Sequence, residues 1–185
     1  SNKIAFAAKS GKSDALFIVD IESGKKTKHR LDMEGIFRPA WRPGSHEIAF
    51  IGNNGKSGDI YLFDPTSEKL TNLTKDWFTD DQISWYPDGK SLLFISDRKE
   101  VIETGISAKP ENHPFNQTDI YKINIESGIL EQLTDTPYNE SFPCVSNDGN
   151  ILAFIADKGG INNIYLSTDI NDPFNVIIEP KAITN

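Results

Sequence analysis

The amino-acid sequence predicts an all-β chain, a β-propeller segment of about four four-stranded antiparallel blades that forms part of a larger propeller. Three observations predict it. An apolar tripeptide recurs at a period of 44 residues, a second apolar ladder follows it at a fixed distance, and turn residues separate the two. Helical periodicity is missing throughout, so short β-branched and aromatic runs carry the whole pattern.

The first ladder is Ile4-Ala5-Phe6, Ile48-Ala49-Phe50, Leu92-Leu93-Phe94 and Leu152-Ala153-Phe154, spaced by 44, 44 and 60 residues. The second is Leu16-Phe17-Ile18, Ile60-Tyr61-Leu62, Ile120-Tyr121-Lys122 and Ile164-Tyr165-Leu166. It starts 10 residues after the matching Phe in three units and 26 after it in the third. Both irregularities amount to 16 residues, so one insertion between Asp97 and Asp119 explains them. A third ladder closes the units at Asn72-Leu73-Thr74, Gln132-Leu133-Thr134 and Ala182-Ile183-Thr184, with Leu31 as a weaker counterpart. A fourth precedes them at Phe37 to Trp41, Gln82 to Trp85 and Phe142 to Val145.

These ladders divide residues 1–185 into blade units at about 3–34, 35–78, 79–138 (with the insertion at 99–115) and 139–185. The first unit starts at its second strand, which gives 15 strands and a ring that stays open unless four blades close it by unusual means. Closed propellers remove their sheet edges, and this count leaves them. Between the strands, Pro87-Asp88-Gly89 and Asn147-Asp148-Gly149 supply a Gly for positive φ and an Asp that bonds back to the chain. Ser23-Gly24 and Ser127-Gly128 serve the turn after the third strand. The ladder makes Phe6, Phe50, Phe94 and Phe154 counterparts, expected in equivalent buried positions. Trp41 and Trp85 are expected to pack between adjacent blades, and Cys144 to act as a small core residue.

The stretch Trp85-Tyr86-Pro87-Asp88-Gly89-Lys90, followed by Leu92-Leu93-Phe94-Ile95, Ser96-Asp97-Arg98, Asp119-Ile120-Tyr121 and Gln132-Leu133-Thr134, resembles the TolB-type, WD-like β-propeller repeat over a whole blade. The other units depart from it. Trp41-Arg42-Pro43-Gly44-Ser45 lacks the Asp, and Val145-Ser146-Asn147-Asp148-Gly149 replaces the Trp and Pro. The repeat also occurs in propellers of tricorn-like and prolyl-oligopeptidase-like peptidases. The resemblance implies architecture and a bacterial periplasmic or secreted setting, whereas function varies across such folds.

Composition narrows the function classes. Nineteen Lys and Arg against 27 Asp and Glu leave a net charge of −8, which argues against a nucleic-acid partner. No apolar run approaches the ~20 residues of a membrane helix, and a single Cys excludes an internal disulfide. Gly-Lys-Ser occurs at Gly11, Gly55 and Gly89, but a phosphate loop needs a further Gly five residues earlier, where Phe6, Phe50 and Ser84 stand. Gly-x-Ser never closes to a nucleophile elbow, because Ala15, Asp59, Leu93 and Lys109 occupy the final Gly position. His29, His46 and His113 are 17 and 67 residues apart, without metal-ligand spacing, and are expected on the solvated surface. The sequence therefore offers no catalytic residue, metal or cofactor site, and predicts a non-enzymatic module.

Strands that reverse direction bring alternate loops to one rim. The insertion Lys99 to Phe115, with His113, thus shares a rim with the loops around Trp77, Phe78, Asp80 and Asp81 and around Tyr138 and Glu140. Carboxylates ringing exposed aromatics are expected to hold a protein or peptide partner, possibly a basic one. The competing reading makes the chain the substrate-gating propeller of a serine peptidase whose catalytic domain lies outside these residues.

Overall fold

The computed structural model describes residues 2–55, 57–98, 117–168 and 170. Among the described residues fourteen strands form four antiparallel sheets, and the chain divides into two compact units, Ser1–Trp77 and Phe78–Asn185. The first unit holds β1 (Lys3–Ser10), β2 (Ser13–Asp20) and β3 (Lys26–His29), then β4 (Gly35–Trp41), β5 (Ile48–Asn53), β6 (Gly58–Asp64) and β7 (Lys69–Asn72). The second holds β8 (Asp80–Trp85), β9 (Ser91–Ser96), β10 (Asp119–Asn124) and β11 (Leu130–Gln132), then β12 (Glu140–Val145), β13 (Leu152–Ala156) and β14 (Asn163–Ser167). Each sheet is a meander in sequence order, as the ladders require.

The repeat is legible down to individual hydrogen bonds. In the leading strands β4, β8 and β12 the pairing register shifts between Phe37 and Ala40, Asp81 and Ser84, and Ser141 and Cys144. Arg38, Gln82 and Phe142, at matching positions, take φ of 52°, 55° and 51° to make these bulges. The turns repeat too. Ser45, Gly89 and Gly149 donate their N–H to the carbonyls of Arg42, Tyr86 and Ser146. In the turn that lacks Asp, the positive φ moves to Gly44, one residue earlier. In the turn after the third strand of the repeat, Asp20, Asp64 and Asn124 each accept hydrogen bonds from the second or third residue onward. The next positive φ then falls at Gly24, Glu68 and Gly128.

One aromatic pair marks every sheet. Phe6 stacks on Phe17, Phe50 on Tyr61, Phe94 on Tyr121 and Phe154 on Tyr165, with ring centroids 5.4, 5.6, 5.9 and 5.9 Å apart. Within each unit, this aromatic face of the later sheet meets the aliphatic face of the earlier one. Leu16 and Ile18 pack with Ile48, Phe50 and Tyr61, and Leu93, Ile95 and Ile120 pack with Leu152, Phe154 and Tyr165. Trp41 packs at the margin of the first cluster, as expected.

Two core expectations are corrected. Phe50, Phe94 and Phe154 are buried, but Phe6 is 39% exposed. It sits on the face of β1 and β2 opposite Leu16 and Ile18, so no sheet of its own unit covers it. Cys144 is exposed, because it pairs with Ala153 on the outer face of its sheet, whereas Leu152 and Phe154 turn inward to the third sheet. The expected strand at Ala182-Ile183-Thr184 and the insertion at 99–115 lie outside the described residues.

Candidate functional site

The rim expected to bind is best defined in the second unit, where two repeat-related polar clusters cap the sheets. In the earlier one, Asp80 opens β8 and Arg98 follows β9. Both are buried, at 1% and 3% exposure, and Arg98 Nη2 donates to Asp80 Oδ1. Arg98 Nε also donates to Ser96 Oγ at 2.8 Å. The guanidinium lies against three rings, its Cζ 5.6 Å from the centroid of Phe78, 5.3 Å from Phe94 and 5.7 Å from Tyr121. An arginine stem flattened among aromatic faces stays charged and holds its fork toward the carboxylate. Asp97 Oδ1 accepts the N–H of Thr79 at 2.9 Å, which ties the entering loop to the end of β9.

Sixty residues later the same positions hold Tyr138, Glu140, Asp157 and Lys158. Asp157 Oδ1 accepts the N–H of Asn139 at 2.8 Å, as Asp97 does for Thr79. The cation does not follow. Lys158 is exposed and rests over the Tyr138 ring, 5.9 Å from its centroid, so buried Glu140 is served instead by hydroxyls. Thr134 Oγ1 donates to its Oε2 at 3.1 Å and Thr136 Oγ1 donates to its Oε1. Thr134 in turn accepts the N–H of Ile120 at 2.7 Å, and Asp119 accepts from Thr136 N–H and Gln132 Nε2.

A carboxyl buried without a cation keeps its proton. Burial first, opposed by the hydrogen bond from Thr136 and reinforced by the negative charge of Asp119, pushes Glu140 up from 4.5 to about 8. Its folded affinity for a proton exceeds that in the unfolded chain, so this group costs no stability below its unfolded titration. Above that, stability declines until pH passes about 8. Glu140→Gln is expected to flatten the fall in melting temperature between pH 5.5 and 8.5 and to raise it most at the alkaline end. An unchanged slope would mean that Glu140 ionises normally.

The rim therefore differs from its expected form. Phe78 is 2% exposed, so it is a core ring sealed by Arg98 rather than a surface anchor. Asp80 and Glu140 are buried beneath the rim and do not present charge to solvent. Tyr138 and Asp81 are half-buried, Asp135, Pro137 and Asn139 are exposed, and Asp81 Oδ1 accepts the N–H of Gln82 at 2.7 Å. Trp77, half-buried, ends the first unit, and His113 lies outside the described residues. Sequence reasoning missed Arg98, Asp119, Thr134, Thr136 and Lys158. Aligning Ser96-Asp97-Arg98 with Ala156-Asp157-Lys158 would have found the cation positions.

The first unit offers a cavity of about 810 Å³ on its opposite rim, walled by Trp41, Arg42 and His46 on one side and Lys3, Asp20 and His29 on the other. His29 is not solvated as expected, since its side chain is 13% exposed and its ring meets Phe63 edge-on at 5.0 Å. Among the described residues no group of three His, Cys, Asp or Glu is placed to hold a metal, and no helix is long and apolar enough to cross a membrane.

The profile of the TolB beta propeller domain matches residues 1–101. No functionally curated protein matches the chain. Among solved structures, TolB from Acinetobacter baumannii superposes with a TM-score of 0.70 and 21% identity over 92% of this chain and 39% of its own. A putative TolB from Agrobacterium tumefaciens gives 0.73 and 19% over 91% and 58%. The tricorn protease gives 0.63 and 16% over 84% and 14%. The chain thus spans between about two fifths and three fifths of the length of the two TolB structures. With the repeat, the bulges and the stacked pairs in place and more than half its length matched by the profile, the chain belongs to the TolB beta propeller domain family.

Proposed function

We propose that this chain is a non-catalytic propeller module that binds a protein or peptide in the bacterial envelope, with the loop between β11 and β12 as the centre of its contact surface. Membership of the TolB family supports the envelope setting. The observation that carries the binding reading is the layered construction of the rim. A fully bonded base of Thr134, Thr136, Asp119 and Glu140 fixes the loop, and Tyr138 stands above it with exposed Asp135 and Asn139 beside it. A loop held by a rigid scaffold presents its side chains at little entropic cost. A half-buried tyrosine amid carboxylates suits a partner with apolar and basic side chains. Trp77 is proposed as a second anchor, and Asp81 as a flanking charge.

A photo-crosslinking residue at position 138, compared with one at position 88 on the opposite rim, tests the assignment in envelope extracts. The expected result is a discrete adduct from 138 alone. Tyr138→Ala and Trp77→Ala should each weaken capture of that adduct's partner by more than about 1 kcal/mol. Neutralising Asp81 and Asp135 should slow association and reduce its salt dependence. Equal adducts from both rims would overturn the reading.

A further inference from the structure

The two polar clusters of the second unit treat one repeat position in opposite ways. Asp80 opens β8 and Glu140 opens β12, and both are 1% exposed. The matching cations are Arg98 after β9 and Lys158 after β13. In the earlier cluster the cation is inside, since Arg98 is 3% exposed, donates to Asp80 and lies against Phe78, Phe94 and Tyr121. In the later one it is outside. Lys158 is exposed and its Nζ lies 5.9 Å from the centroid of the Tyr138 ring, although Tyr138, Phe154 and Tyr165 repeat the three rings that wall Arg98.

Glu140 manages with hydroxyls and a neighbouring carboxyl. Thr134 and Thr136 donate to its two oxygens, and it shares a hydrogen bond with Asp119, which is also 1% exposed. Two buried carboxyls in contact cannot both ionise without a counter-charge. Around Glu140 stand Asp80, Asp81, Asp97 and Arg98 from β8 and β9, Asp119 and Lys122 from β10, Asp135 in its own loop, and Asp157 and Lys158 beyond β13. Arg98 pairs with Asp80, and Lys122 with Glu131. Among the described residues this makes Lys158 the cation open to Glu140.

We propose that Lys158 is a two-position switch, resting on the Tyr138 ring while Glu140 is neutral and turning inward to pair with the Glu140 carboxylate once it ionises. The chain displays both arrangements, because Arg98 on Asp80 is the inward one at the same place in the repeat. A flexible four-carbon stem lets a lysine change partners at small cost. Burial holds the Glu140 proton up to about 8, so the outward position prevails at neutral pH and the inward one above it. Turning inward uncovers the face of Tyr138. On the reading of Tyr138 as a binding anchor, Lys158 occupies the place a basic side chain of the partner takes, so capture strengthens as pH rises through this range.

The test is side-chain NMR of the 185-residue chain, with Glu and Lys labelled, between about pH 6 and 10. The ε protons of Lys158, shielded by the ring, should lie upfield at low pH and return to ordinary positions with the same midpoint as the Glu140 carboxyl carbon. Glu140→Gln should hold them upfield throughout. Lys158→Met, which leaves the neutral carboxyl undisturbed, should raise the Glu140 midpoint by about one pH unit, a tenfold change in proton affinity. Lys158→Arg should lower that midpoint. Lys158 shifts that ignore Glu140, a Glu140 midpoint unmoved in Lys158→Met, or a midpoint in the ordinary carboxylate range would each overturn the switch. The binding consequence is read apart from it. If the Lys158 resonances switch as expected while Tyr138→Ala captures the partner as well as the parent chain does, the switch stands and the anchor reading falls.

Discussion

Arg98→Met is expected to destabilise the second unit by about 3–5 kcal/mol, because it strands a buried carboxylate. Asp80 is 1% exposed, and its Oδ1 meets the Arg98 guanidinium inside a wall of Phe78, Phe94 and Tyr121. Removing the cation leaves Asp80 to pick up a proton or remain charged out of water, and either route is costly. The double variant Arg98→Met with Asp80→Asn should recover a large part of the loss, since the stranded charge is then gone. Urea unfolding of the two single variants and the double variant gives the coupling energy. A loss below about 1 kcal/mol for Arg98→Met would show that solvent reaches Asp80 after all. The repeat supplies an internal control. Lys158→Met should have little effect, because Glu140 already manages without that cation.

The second large effect is expected at Phe94→Ala, at about 3–5 kcal/mol, the usual cost of deleting a fully buried ring. Phe94 is 0% exposed and stacks on Tyr121 with centroids 5.9 Å apart. Phe6→Ala, at the matching repeat position, should cost no more than about 1.5 kcal/mol, because Phe6 keeps much of its surface in water. Both rings stack on a cross-strand aromatic, at 5.9 and 5.4 Å. The contrast therefore separates burial from stacking. Equal losses at both positions would assign the energy to the ring pair rather than to its surroundings.

What was legible in the sequence follows from local physics. Strand order, the blade repeat and the turns depend on periodicity, β-branched runs and the few residues that accept positive φ, all of which are written within a dozen residues of one another. The single insertion could be placed because it shifted two ladders by the same amount. The candidate site was harder to read. Tyr138 and Phe78 occupy matching positions in the repeat, yet one stands half-exposed and the other is buried, and the difference lies in Arg98 against Lys158.

The sequence by itself determined the fold class and the register of its repeats, since these rest on spacing along the chain. Only the tertiary structure decided which carboxylates are surface charges and which are buried ones, and that Phe6 and Cys144 lie open. Those outcomes depend on what packs over a residue from another sheet. A side chain's type sets what burial would cost it, whereas the chain folded around it decides whether it is buried.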